Sequence, residues 1–197
     1  MQAKAKRMLL GLAVLLALAV LALALYYNVP RKIAWEVPAV VLTDWPDQED
    51  VELLEQTTLR ISGTWSPGIR DRDITLESVV VDGLDCTLPE SAAMDEVNLA
   101  PQFGDGWMGG TFYFVSEGAE PDGVTFVWAD NGLDDICLMM QWYGDALETE
   151  DAGLWERIDC TAGEAALIVL ASASDLDGAQ AVYSRLTKEG KQFVPFP

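Results

Sequence analysis

From Met8 to Tyr27 every residue except Gly11 is apolar or aromatic, and no charge interrupts the run. At about 1.5 Å per residue such a run makes a helix of roughly 30 Å, the hydrocarbon thickness of a bilayer. Leu, Ala and Val occupy all sides, so the polar stripe of a soluble amphipathic helix is missing. Lys4, Lys6 and Arg7 precede the run, Arg31 and Lys32 follow it, and Tyr26 and Tyr27 stand where aromatic rings favour the headgroup level. The pattern predicts a cytoplasmic N-terminus over residues 1–7 and a signal-anchor helix over 8–27 with the lipid bilayer as its partner. The competing expectation is a signal peptide cut after Ala22-Leu23-Ala24, which would leave the remainder secreted. Against it, signal peptides usually carry only about 7–15 apolar residues.

Beyond the run, Pro30, Pro38 and Pro46 interrupt the chain, and Asp44, Asp47, Glu49 and Asp50 charge the far end of this stretch. Repeated proline disfavours helix at the preceding residue, so residues 28–50 read as a Pro-rich acidic stalk. Val37 to Leu42 has strand character, but Pro38 within it argues against a central strand.

From residue 51 the rhythm is period two, as half-buried strands require. Leu59, Ile61 and Trp65 alternate with Arg60, Ser62 and Thr64, and Ser66-Pro67-Gly68 then turns the chain. Ile74, Leu76 and Val80 continue the pattern up to Asp82-Gly83. Further strands are expected at Gly110–Ser116, Val124–Ala129 and Asp135–Tyr143, parted by Pro121-Asp122-Gly123 and Asp130-Asn131-Gly132. Cys86 to Asp105 sustains no period and reads as an irregular connection. Glu164–Ala171 is a nearly continuous apolar strand, and Asp175–Glu189 is helical through Leu176, Ala179, Tyr183 and Leu186. Ser174 or Asp175 can cap that helix, and Gly190 can stop it. The expected fold is mainly β: an antiparallel, sandwich-like acidic domain over residues 51–197 with one C-terminal helix, behind the single membrane helix. Strand spacing also allows a barrel, and an α+β unit is the alternative.

Charge narrows the function classes. Twelve Lys and Arg face 32 Asp and Glu, for a formal charge of −20, and only seven of those basic residues lie beyond Lys32. So acidic a domain lacks the basic footprint that nucleic acid requires, and nucleic acid is not an expected partner. The sequence holds no histidine. Ser-His-Asp and Cys-His nucleophile pairs and His-ligated metals are therefore closed to it.

Three cysteines, Cys86, Cys137 and Cys160, fall after the membrane run. Cys137 and Cys160, on neighbouring expected strands, form the candidate disulfide, with small buried residues as the ordinary alternative. All seven tryptophans also lie outside the run. Core packing accounts for most, and Trp107, in the Gly-rich stretch Gly104–Gly110, is the candidate exposed recognition aromatic. Asp175-x-Asp177-Gly178 and Asp130-Asn131-Gly132 with Asp134-Asp135 are read as a helix cap and a charged turn in preference to calcium loops, so no metal ligand is assigned. No catalytic or cofactor-binding residue is assigned, and no cofactor is implied. The expected function is a membrane-anchored extracytoplasmic binding or assembly module for a protein or glycan partner. Two alternatives stand beside it: a carboxylate-dependent hydrolase of envelope polysaccharide, and a cation-dependent adhesion or sensing domain.

Overall fold

The computed structural model describes residues 2–67, 73–84, 87, 97–101, 107–114, 123–130, 132–142 and 166–187. Helix α1 spans Gln2–Asn28 and eight strands follow: β1 Arg31–Leu42, β2 Leu53–Ser66, β3 Asp73–Val81, β4 Val97–Pro101, β5 Trp107–Phe114, β6 Gly123–Asp130, β7 Ile136–Trp142 and β8 Ala166–Ala171. Helix α2, Leu176–Thr187, comes last. Each strand pairs antiparallel with the next, and β8 returns to β1 through Ala39–Leu42 against Ala171–Ile168, which closes the sheet into a barrel. A closed barrel replaces the expected sandwich. Closure depends on one long-range ladder, β1 with β8, which no local pattern announces.

Alternation sorts the side chains. Inward residues such as Val41, Leu59, Leu76, Leu99, Phe112, Val127, Leu138 and Val169 form one continuous buried cluster that fills the barrel. Outward residues on one side, Val40 and Leu42 of β1, Cys137 and Met139 of β7, and Ile168 and Leu170 of β8, form a second cluster beneath α2. Strand β8 is apolar at consecutive positions because both of its faces are covered. Each fully buried Leu or Ile there contributes about 1.5–3 kcal/mol relative to exposure.

The stretch expected as a stalk is β1, a full barrel strand. Pro38 is tolerated for a geometric reason. Ser172 donates its N–H to the Pro38 carbonyl at 2.8 Å, so the backbone groups of Pro38 face β8 where β8 ends. The missing N–H therefore costs no interior ladder bond. Strand β4 lies within the expected irregular connection; Val97 and Leu99 give too short an alternation to register as a period. In β3 the inward residues are Ile74 and Leu76, then Val79 and Val81, whereas Val80 faces out. The switch of parity comes from a bulge in β3: Ser62 pairs with Ser78 and Gly63 with Leu76, so Glu77 is the extra residue.

Helix α2 begins as expected. The Asp175 carboxylate accepts the Gly178 N–H at 2.7 Å, a helix N-cap, and Ala179, Val182 and Leu186 are buried on the barrel. Arg185 fixes its other end by a two-pronged bond to Asp135, with Nε to Oδ2 at 2.7 Å and a second nitrogen to Oδ1 at 2.6 Å. That hydrogen bond raises the Arg185 pKa further above its ordinary value.

Candidate functional site at the helix–barrel junction

Met8–Asn28 of α1 is long and apolar enough to cross a membrane, with a mean hydropathy of 3.0 and none of it buried against the barrel. A signal sequence shares these properties. The helix ends with the Asn28 side-chain amide donating to the Ala24 carbonyl, and Pro30, without an N–H, precedes the first residue of β1. Only Val29 and Pro30 separate helix from strand.

Arg31 occupies this corner. Its guanidinium carbon lies 4.6 Å from the Tyr26 ring centre and 5.1 Å from that of Trp65. Tyr26 belongs to the last turns of α1, and Trp65 is the residue directly opposite Arg31 in the β1–β2 ladder. One cation therefore contacts a ring on each side of the junction, an attraction of about 0.5–2 kcal/mol per ring according to its hydration. Tyr27 packs edge-on against Tyr26 at 5.3 Å, and Lys32, the next residue of β1, is exposed. The two tyrosines and the flanking cations were legible in the sequence. Trp65 was not, because its proximity comes from the β1–β2 register.

A second aromatic group lies on the outer face around α2. Phe126 and Trp128 stack at 5.8 Å, Trp45 lies 6.5 Å from Trp128, and Trp45 meets Tyr183 of α2 at 5.6 Å. All four rings are half-buried and pack on the second cluster. Burial pushes the Tyr183 phenol up to about 12, with the neighbouring Asp47 carboxylate, its charge and its hydrogen bond, as the next cause.

The residues singled out by sequence do not converge on one place. Cys137 is buried on the outer face of β7 beneath α2, where burial pushes its thiol far above the ordinary range. Cys160 and Cys86 lie outside the described residues. The backbone of Trp107 opens β5 opposite Asp130, while its side chain lies outside what is described. Asp130 spends its carboxylate on the amides of Gly132 and Asp135 at 3.1 and 3.0 Å, which builds the β6–β7 turn. Among the described residues no three Cys, Asp or Glu side chains gather as metal ligands would.

No protein-family model, curated protein or solved structure matches this chain.

Proposed function

We propose that the chain is a membrane-anchored binding or assembly module whose acidic barrel stands on the extracytoplasmic face, held at the bilayer surface by α1. The observation that carries this reading is the junction. A helix with its apolar surface wholly exposed runs into the barrel after two residues, and Arg31 bridges the two through Tyr26 and Trp65. Lipid is the solvent that suits such a helix, and a cation between aromatic rings suits the headgroup layer. The packed interior favours recognition by the outer surface, as a protein or glycan partner would require. The one described buried carboxylate, Asp135, is engaged by Arg185, so it offers no support to a hydrolase.

Membrane fractionation with protease added outside intact cells tests the reading. The expected result is a chain that resists alkaline extraction while its barrel is cut or labelled from outside. A barrel protected in intact cells, or a soluble product lacking α1, would overturn it.

A further inference from the structure

Arg31 shares one face of β1 with Ile33, which is buried in the barrel, and Trp65 opposite it packs against the same cluster. The guanidinium therefore stands at the α1 end of the barrel interior, and Tyr26 meets it from the last turns of the helix. Both rings attract its charge, yet neither supplies an oxygen to its five N–H groups. Arg60 and Arg185 spend theirs on the carboxylates of Asp82 and Asp135. Among the described residues no carboxylate pairs with Arg31, although all 32 acidic residues of the chain follow it. The corner thus holds a cation in place and leaves its donors to an acceptor from outside the chain.

We propose that Arg31 is a binding site for the phosphodiester group of a phospholipid whose acyl chains lie along α1. The inference rests on the reading of α1 as a membrane helix and names the ligand of the junction. Three observations favour a lipid. The first is depth. Tyr26 and Tyr27 stand near the end of the exposed apolar run, only Val29 and Pro30 separate the helix from β1, and the guanidinium is held against Tyr26. It therefore sits where the hydrocarbon layer gives way to phosphate.

The second is chemistry. A guanidinium keeps its charge at any physiological pH and presents paired N–H groups at the spacing of two phosphate oxygens, which a lysine ammonium cannot match. Aromatic neighbours are compatible with such a bond, since they attract the charge without consuming its donors. The third is the charge of the rest of the chain. Beyond Lys32 only seven basic residues stand among 32 carboxylates, so a freely dissolved anion meets repulsion on approach. A lipid phosphate need not be captured from solution, because its own acyl chains keep it at the bilayer surface. Lys32 is exposed and adds positive charge beside Arg31, but successive strand residues point to opposite faces, so the phosphate is left to Arg31.

Magnetic resonance of the full chain with nitrogen-labelled arginine, in nanodiscs of phosphatidylglycerol and phosphatidylcholine, tests the site. The expected result is dephasing of the Arg31 guanidinium by lipid phosphorus at hydrogen-bonding range, with none at Arg60, which Asp82 holds. This contact is read in the unmodified chain and does not depend on a variant folding. In maltoside micelles, retention of added phosphatidylglycerol, followed by native mass spectrometry, is expected to weaken at least about tenfold in Arg31→Gln and less in Lys32→Gln. Millimolar inorganic phosphate in the same micelles is expected to leave the Arg31 resonance in place. A chain that does not insert into the nanodiscs would overturn the membrane reading and this site with it. An inserted chain whose Arg31 shows no phosphorus contact would overturn the site alone. Equal lipid retention in Arg31→Gln would do the same and leave Arg31 as a clamp between helix and barrel. An equal response to inorganic phosphate would overturn the choice of a lipid.

Discussion

Thr125 sits on the inner side of β6, sealed from water, with no hydrogen-bond partner for its hydroxyl among the described residues. A buried hydroxyl without a partner carries its desolvation penalty uncompensated, so the near-isosteric Thr125→Val is expected to stabilise the barrel by about 1 kcal/mol. Chemical denaturation in detergent reads the change, and a loss of stability would mean that the hydroxyl has a partner after all. Tyr183 makes the opposite use of burial. Its pKa of about 12 in the folded chain exceeds the ordinary 10, so the fold favours the protonated phenol. The stability this contributes is complete below pH 10 and is lost as pH rises toward about 12. Tyr183→Phe is expected to remove that alkaline decline. Asp47→Asn should lower the phenol midpoint only in part, since burial is the larger cause, and absorbance of the phenolate follows both. A midpoint near 10 in the native protein would contradict the packing of Tyr183 against Trp45.

At the scale of elements, the ladder between β2 and β3 is interrupted by a bulge in β3, where Ser62 pairs with Ser78 and Gly63 with Leu76, so that Glu77 is the extra residue. A Cβ on Gly63 would run into the backbone carbonyl oxygen of Thr75, which cannot move without breaking the ladder. On Gly110 it would meet side chains instead, Val97 Cγ1 at 2.6 Å and Leu99 Cδ2 at 2.9 Å. Gly63→Ala is therefore expected to cost about 2–3 kcal/mol and Gly110→Ala less, by thermal melting in detergent. The reverse order would contradict the close approach of the Thr75 carbonyl to Gly63. The same bulge explains part of what sequence concealed. Strict alternation assigned Val80 inward, and an inserted residue hands that place to Val79 and Val81. Elements with several periods, β2, β6, β7 and α2, were legible from the spacing of Leu, Val and Ile. Pro38 hid β1, because the position of its nitrogen relative to β8 is a tertiary fact. The apolar run of β8 was visible, but its cause, a barrel within and α2 outside, was not.

Across the whole molecule, one chain joins a wholly exposed apolar helix to an acidic barrel. The apolar helix suits hydrocarbon, the acidic barrel suits water, and a two-residue connection leaves no room for a stalk between them. Charge and hydropathy made that division plain in sequence, whereas the junction through Trp65 needed the β1–β2 register. If α1 lies in the bilayer, the Arg31 end of the barrel must rest near the headgroups. The opposite end of β1, Leu42, stands roughly 36 Å further along the strand. Paramagnetic relaxation from headgroup-labelled lipid in nanodiscs measures this most directly. Strong broadening at Arg31, Lys32 and Trp65, fading toward Leu42 and Leu53, is the expected result. Equal broadening at both ends, or none at Arg31, would contradict an anchored barrel seated on the membrane.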